Sequence, residues 1–134
     1  YILNDATLAA YKNFDSNNKS GILKLIYGKT SFLFTGDAEI PAENLLTKGY
    51  HKFLKSLVLK AGHHGSKTSS SEVFLNYVTP EYSLISAGFK NKFGHPADEI
   101  IQRIEKYGST IFRSDLQKAV LLRSDGEEIK AIKW

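Results

Sequence analysis

The chain has 134 residues, of which 42% are hydrophobic, so it is long enough for one domain with a core and too short for two. Eighteen Lys and Arg residues against fourteen Asp and Glu residues leave a net charge of +4, which would help to hold a polyanion but excludes a purely charge-driven nucleic-acid binder. The absence of cysteine excludes disulfides and thiolate metal sites, so a transition metal would need His and carboxylate ligands.

The first part of the chain predicts an N-terminal extension followed by a hairpin and a helix. The hairpin is predicted because Gly28-Lys29-Thr30 separates two strand-like runs, and the helix because Pro41 suits a first helical turn. The run Phe32-Leu33-Phe34 indicates that the second strand is buried on both faces. The predicted elements are a helical turn within residues 7–11, a loop over 13–20, strands over 22–27 and 31–35, and a helix over 42–46 that closes near Gly49.

The rest of the chain alternates strand, loop and helix. Ser69, with Glu72 three residues later, predicts a capping box at the start of one helix. The predicted elements are a strand over 56–61, a helix with Val73, Phe74, Tyr77 and Val78 on its apolar face, a strand over 82–86, a loop over 87–95, a helix from Pro96 to Gly108, a strand over 110–112, and a hairpin of residues 119–122 and 129–132. This order predicts an α/β (α+β) fold, a mixed β-sheet with helices packed on one face and hairpins at both ends.

Polar side chains with metal-binding chemistry follow three of the predicted strands. Asp37 follows the strand at 31–35, His63 and His64 follow the strand at 56–61, and His95 lies after the strand at 82–86. Ligands bind beyond the carboxyl ends of such strands because the loops converge there. One carboxylate and up to three imidazoles would suit Zn, Mn or Fe better than calcium.

The segment around the histidine pair adds features of an anion site. Glycines at 62 and 65 would let the backbone approach a ligand closely, and Ser66, Lys67 and Thr68 add donors. The same residue types also have structural explanations that do not involve a ligand. Asp37 could belong to a turn, His95 could cap the helix that Pro96 opens, and His51 could be a surface residue. Four lysines beside these loops could form a basic rim or could be scattered surface lysines: Lys60, Lys67, Lys90 and Lys92.

Four segments together resemble a known family. They are Asn18-x-Ser20, residues 32–39 (Phe-Leu-Phe-Thr-Gly-Asp-Ala-Glu), residues 59–69 (Leu-Lys-Ala-Gly-His-His-Gly-Ser-Lys-Thr-Ser), and Ser86-Ala87-Gly88-x-x-Asn91-x-x-Gly94-His95-Pro96. In this order they resemble the C-terminal half of the metallo-β-lactamase-like domain of ComEC-type competence proteins, which are membrane channels for DNA uptake. The resemblance runs from about residue 17 almost to the C-terminus. Residues 21–134 are assigned to that half domain and residues 1–20 to an N-terminal extension or loop. Freestanding secreted hydrolases carry the same signatures.

The resemblance implies half of an αββα sandwich and a two-metal hydrolase that acts on phosphodiesters. Asp37 matches the aspartate that bridges both metals, Zn or Mn, and His64 matches a ligand of one metal. His63 would contact the substrate phosphate as a donor and act in catalysis with Asp37, and His95 would contact substrate or support the ligands. The expected substrate is the DNA strand that is not transported. The remaining candidate substrate contacts are Ser66 and Lys67.

The family's main metal motif, His-x-His-x-Asp-His, is absent from this chain, whose first histidine is His51. Asp37 and His64 are too few ligands for two metals, because one catalytic zinc normally takes three protein ligands. We therefore expect weak or no metal binding and no efficient hydrolysis by this chain alone. The missing half would also leave one sheet face uncovered, which makes self-association a secondary hypothesis.

The resemblance places a parent protein in the cell membrane, with this domain on the extracellular or periplasmic side. No apolar run in this chain approaches the ~20 residues of a membrane span, so the chain itself is expected to be soluble. Three alternatives remain. The first is a related freestanding secreted metallo-hydrolase, the second is a metal-free degenerate module that holds nucleic acid or another polyanion on Lys67, Lys90 and Lys92, and the third is a purely structural domain.

Overall fold

A computed structural model describes residues 5–132, with side chains described from residue 9 onward. The elements are α1 (Asp5–Lys12), a 3₁₀ turn (Asn17–Lys19), β1 (Leu23–Tyr27), β2 (Thr30–Phe34), α2 (Ile40–Tyr50), a 3₁₀ turn (His51–Leu54), β3 (Val58–Lys60), a 3₁₀ turn (Gly62–Gly65), α3 (Glu72–Val78), β4 (Tyr82–Ile85), α4 (Asp98–Lys106), β5 (Thr110–Arg113), α5 (Ser114–Gln117), β6 (Leu121–Ser124) and β7 (Ile129–Ile132).

Five strands form one mixed sheet in the order β1-β2-β3-β4-β5, and β6 and β7 form a separate two-stranded sheet. β1 pairs antiparallel with β2, whereas β2, β3, β4 and β5 run parallel to one another. The predicted α+β class and both predicted hairpins are therefore confirmed. Because four strands are parallel, the loops that follow β2, β3 and β4 leave the sheet at one edge, which we call the carboxyl edge.

The hydrophobic core lies between one face of the sheet and the helices α2, α3 and α4. Leu33, Leu59 and Ile85 supply the sheet side of this core and are each at most 2% exposed. The buried residues that pack with them are Leu54, Ala61, Phe74, Leu75, Val78, Ile100 and Ile104. Burial of these side chains is the main source of stability for the fold.

The opposite face of the sheet is open at β1 and β2. Leu23 and Leu25 are 61% and 51% exposed and lie directly opposite Phe34 and Phe32 in the antiparallel pair. Phe32 and Phe34 stack on each other at 6.5 Å and are only half-buried. The expectation that β2 is buried on both faces was therefore wrong, because only Leu33 of this run faces the helices.

Several predicted boundaries differ from the structure. α2 continues through Gly49 to Tyr50, since Leu46 and Tyr50 pack against the core and outweigh the low helix propensity of glycine. The N-cap of α3 is Ser71, whose Oγ accepts the N–H of Phe74, and Ser69 instead donates to the Gly62 carbonyl.

Three smaller differences concern the helices of the second half. Val73 was placed on the apolar face of α3 but is 55% exposed, and Leu75 takes the buried position. α4 begins at Asp98 rather than at Pro96, and the short helix α5 was not predicted. Among residues 5–132, no helix combines the length and the apolar character that crossing a bilayer requires.

Candidate functional site

The carboxyl edge brings together the four residues singled out from the sequence. Asp37 follows β2, His63 and His64 follow β3, and His95 follows β4. Nε2 of His64 lies 3.6 Å from Oδ1 of Asp37. The ring of His63 lies 5.6 Å from that of His95 and 6.3 Å from that of His64. The predicted convergence of these strand ends is therefore confirmed, whereas the roles of the residues stay predictions.

The backbone of the histidine pair is strained. His63 and His64 have φ values of 43° and 54°, in the left-handed region that residues with a Cβ rarely occupy. Each such residue costs about 1–3 kcal/mol and persists only where its surroundings enforce it. The strained residues are the two whose imidazoles lie at the carboxyl edge, near Asp37 and His95.

Close packing of loops explains the two glycines beside the histidines. A Cβ at Gly62 would lie 2.4 Å from the carbonyl oxygen of Ala38, and a Cβ at Gly65 would lie 2.7 Å from Cβ of Pro96. Gly65 also has a φ of 79°. The sequence suggested that these glycines admit a ligand, but in the structure they let the loops after β2, β3 and β4 pack against one another.

His64 has the hydrogen bonding of a metal-ligating histidine. Its Nδ1 lies 2.6 Å from the carbonyl oxygen of Ser86, which can only accept, so Nδ1 is the donor. In the neutral ring this leaves a lone pair on Nε2, the nitrogen that faces Asp37. Two ligands of one tetrahedral zinc, each about 2.0–2.2 Å from the metal, are about 3.3–3.6 Å apart. The 3.6 Å separation of Nε2 and Oδ1 fits a shared divalent cation.

His63 is oriented by a carboxylate, Glu39, that was not among the predicted site residues. Nδ1 of His63 lies 2.8 Å from Oε1 of Glu39, and the same oxygen accepts a hydrogen bond of 2.5 Å from Thr68 Oγ1. In the sequence, Glu39 stands two residues after Asp37 and ends the resembling segment 32–39, but no role was predicted for it. This contact fixes the ring and leaves Nε2 of His63 for a ligand.

The predicted loop at 13–20 supports the carboxyl edge. Ser20 Oγ accepts the N–H of Asp37 at 2.9 Å. Asn18 is 5% exposed, and its Oδ1 accepts from the N–H groups of Glu39 at 3.2 Å and Ala42 at 3.1 Å. Asn18 and Ser20 thus hold the backbone of Asp37 and Glu39 in place. The assigned domain boundary at residue 20 stays a prediction.

Lys60 lies inside the carboxyl edge instead of on a basic rim. Its Nζ donates to the carbonyl oxygens of Ala61 at 3.1 Å and Gly36 at 3.5 Å, which ties the loop after β3 to the loop after β2. Burial lowers the pKa of Lys60, and the nearby carboxylate of Asp37 partly opposes that shift.

The other predicted substrate contacts, Ser66, Lys67 and His95, differ in their burial and in their hydrogen bonding. Ser66 is 6% exposed, and its Oγ pairs with Thr68 Oγ1 at 2.9 Å, so it braces the loop, whereas Lys67 is exposed. Nδ1 of His95 is buried and has no hydrogen-bond partner within the described part of the chain. Burial, and then the neighbouring His63 and His64, lower the pKa of His95. The substrate-binding roles of Ser66, Lys67 and His95 stay predictions.

Within residues 5–132, no group of three or more His, Asp or Glu side chains has the arrangement of a metal site. Asp37 and His64 therefore form a pair of suitable donors that requires further ligands to hold a catalytic metal.

Comparison with known proteins relates the chain to one segment of much longer proteins. It is 43% identical over 109 residues to the competence protein ComA of Neisseria gonorrhoeae, covering 81% of this chain and 16% of that protein. It is 34% identical over 107 residues to the ComE operon protein 3 of Bacillus subtilis (80% of this chain, 14% of that protein). It is 38% identical over 95 residues to the recombination protein 2 of Haemophilus influenzae (71% and 12%). No family model and no solved structure matches the chain. These similarities support a competence-related family.

Proposed function

We propose that this chain, related as it is to one segment of competence proteins, is the C-terminal part of a metal-dependent phosphodiesterase domain that acts on single-stranded DNA during DNA uptake. One observation carries the proposal. Nε2 of His64 faces Asp37 at 3.6 Å while Nδ1 is held by the Ser86 carbonyl, which is the hydrogen bonding that a metal-ligating histidine needs.

Asp37 and His64 are the residues that would hold the metals, Zn or Mn, with Asp37 shared between two ions. Divalent ions at this position would lower the pKa of a water molecule and stabilise negative charge on a phosphate. His63, whose Nδ1–H donates to Glu39, would as the imidazolium donate its Nε2–H to a phosphate oxygen. His95 packs against His63 and would limit the positions that the substrate can take.

The missing ligands would come from outside this chain. The chain spans only 12–16% of the curated relatives named above, so the complete domain is proposed to lie within a longer polypeptide. The open face at Leu23, Leu25, Phe32 and Phe34 is where its other half would pack. Self-association through that face is the alternative for the isolated chain. We further propose that the parent protein resides in the cell membrane and holds this domain on the extracellular or periplasmic side.

Hydrolysis of single-stranded DNA by the longest natural polypeptide that contains this sequence tests the proposal. With Zn²⁺ or Mn²⁺ added, Asp37→Asn and His64→Ala should each lower the rate at least about 100-fold, because even groups that only orient metal ligands are worth 10–100-fold. His51→Ala is the matched control, since His51 is exposed and lies outside the carboxyl edge, and it should leave the rate within about twofold. Cleavage that persists in EDTA, or in Asp37→Asn, would contradict the proposal.

A metal-free module that binds nucleic acid is the second candidate. It is favoured by the exposed lysines at 67, 90 and 92 and by the net charge of +4. In that case binding should fall steeply with salt and should not change in Asp37→Asn, whereas loss of binding in a folded Asp37→Asn protein would indicate a metal site.

A further inference from the structure

We propose that residues 88–94, Gly-Phe-Lys-Asn-Lys-Phe-Gly, form a binding site for single-stranded nucleic acid, in which Phe89 and Phe93 stack on bases while Lys90 and Lys92 contact phosphates. We call this segment the aromatic–lysine loop. The inference rests on the proposed function for the class of ligand, and it does not depend on metal binding or hydrolysis.

Both phenylalanines of the loop are displayed to solvent. Phe89 is 71% exposed and Phe93 is 69% exposed, the highest values among the large hydrophobic side chains of the part of the chain that the structure describes. These two exposed rings are four positions apart in one loop, and each gains free energy when a ligand covers it.

The loop is held in this conformation by its own hydrogen bonds. Nδ2 of Asn91 donates to the carbonyl oxygens of Gly88 at 2.9 Å and His95 at 2.5 Å. Oδ1 of Asn91 accepts from the N–H groups of Phe93 at 3.2 Å and His95 at 3.1 Å. At the base of the loop, Ser114 Oγ donates to the carbonyl of Ala87 and accepts from its N–H, at 2.9 and 3.0 Å. A loop that is already ordered loses little entropy when it binds.

A cation accompanies each exposed ring. Nζ of Lys90 lies 5.3 Å from the ring centroid of Phe89, and Nζ of Lys92 lies 5.1 Å from that of Phe93. Both lysines are exposed and flexible, so their ammonium groups can move from the ring to a phosphate. Aromatic rings interleaved with cations match a strand in which bases alternate with phosphates.

A row of rings connects the loop to the candidate active site. Phe93 stacks on His95 at 6.0 Å with an interplanar angle of 20°, and His95 packs against His63 at 5.6 Å. A strand with one base on Phe93 would therefore have its next phosphates near His63 and His64. Stacking of this kind requires unpaired bases, which favours single strands over duplex. An anionic membrane would use the same phenylalanines and lysines, but it would give no reason for the row that ends at His63.

Fluorescence anisotropy with a labelled oligothymidylate of about 12 nucleotides, a length within the range of single-strand sites, tests the inference when EDTA is present to prevent hydrolysis. Phe89→Ala and Phe93→Ala should each weaken binding about fivefold to a hundredfold at every salt concentration, with an unchanged salt slope. The double variant Lys90→Gln/Lys92→Gln should make the slope of log K against log salt shallower by about 1.4.

Matched controls lie elsewhere on the surface. Leu116→Ala removes another exposed hydrophobic side chain, and Lys12→Gln/Lys48→Gln removes two exposed charges. The affinity of both control proteins for the oligonucleotide should stay within about twofold of that of the unsubstituted protein. An abasic strand of equal length, which keeps the phosphates, should bind as weakly as the phenylalanine variants bind the intact strand. Circular dichroism confirms that each variant is folded.

Any of four results would overturn the inference. They are no binding of the oligonucleotide, unchanged affinity in both phenylalanine variants, an abasic strand that binds as tightly as the intact strand, or a duplex that binds as tightly as the single strand. Binding of phosphatidylglycerol vesicles without binding of the oligonucleotide would assign the loop to a membrane surface instead. If the oligonucleotide binds as described and the longer polypeptide cleaves nothing, only the proposed hydrolase function is contradicted. If cleavage occurs without loop-dependent binding, the inference about the loop fails alone.

Discussion

The helix-covered core and the carboxyl edge of the same sheet are built on opposite principles. In the core, Leu33, Leu59 and Phe74 are almost fully buried, and each gains free energy by leaving water. At the carboxyl edge, His63 and His64 occupy left-handed backbone conformations, and nearly half of the His64 side chain is open to solvent. The core residues are explained by stability alone. The edge residues carry strain and exposure that stability does not explain, which is the pattern expected of a functional site.

Two glutamates one turn apart show where the boundary between these regions lies. Glu43 is 1% exposed, and its carboxylate accepts the N–H groups of Ser70 at 2.5 Å and Ser71 at 2.9 Å. Burial raises the pKa of Glu43, and the hydrogen bonds from the backbone of Ser71 and Ser70 partly oppose the shift. Glu39 instead accepts from His63 and Thr68 at the carboxyl edge. Glu43 thus supports the start of α3, whereas Glu39 orients a candidate site residue.

The largest loss of stability is expected in the core. Phe74→Ala should lower the free energy of unfolding by about 3–5 kcal/mol, because it removes a ring that is 1% exposed and leaves a cavity. Chemical denaturation followed by circular dichroism measures the change. Val73→Ala, on the same helix but 55% exposed, is the control and should change stability by less than about 1 kcal/mol. Equal effects of the two variants would show that burial in the core does not determine how much Phe74 stabilises the fold.

An intermediate loss is expected at the boundary. Glu43→Ala should lower the free energy of unfolding by about 1–3 kcal/mol, since it leaves the N–H groups of Ser70 and Ser71 without their acceptor. The same denaturation assay applies, with the exposed Asn44→Ala on the same helix as the control. A Glu43→Ala protein as stable as the control would show that these hydrogen bonds do not hold the start of α3.

The smallest change in stability is expected at the carboxyl edge. His64→Gly relieves a φ of 54° but gives the unfolded chain more freedom, so the two effects nearly cancel and stability should stay within about 1 kcal/mol. The same substitution should abolish the metal-dependent activity of the longer polypeptide. Gly65→Ala, one residue on, should be clearly destabilising because its Cβ would lie 2.7 Å from Cβ of Pro96. A marked loss of stability in His64→Gly would mean that His64 is a structural residue.

Much of the fold could be predicted because local patterns determine it. Apolar runs separated by turn residues located both hairpins, and the positions of Asp37, His63 and His95 after successive strands predicted their convergence. The N-cap of α3 could not be predicted, since residues 68–71 are all Thr or Ser and each can cap a helix. In the structure Ser69 Oγ donates to the Gly62 carbonyl, seven residues earlier, at 2.8 Å, and Ser71 accepts the N–H of Phe74 as the cap.

The supporting residues of the candidate site were missed for the same reason. Glu39, Ser20 and Lys60 act through contacts with residues 17 to 29 positions away, and no local pattern reports such contacts. Ser20 and Glu39 belong to the segments that resemble a known family, but no role was predicted for either, and Lys60 was interpreted as part of a basic rim or as a surface lysine. Their roles became visible only when the loops after β2 and β3 were placed side by side.

The central claim is that Asp37 and His64 supply part of the ligands of a two-metal site and that the other ligands come from outside this chain. Metal content tests this claim most directly. The longest natural polypeptide containing this sequence should be purified as the natural sequence and as Asp37→Asn and His64→Ala, and its metals counted by inductively coupled plasma mass spectrometry. The account predicts about two divalent ions in the natural protein, loss of both in Asp37→Asn and loss of one in His64→Ala. A full metal complement in the folded variants would contradict it.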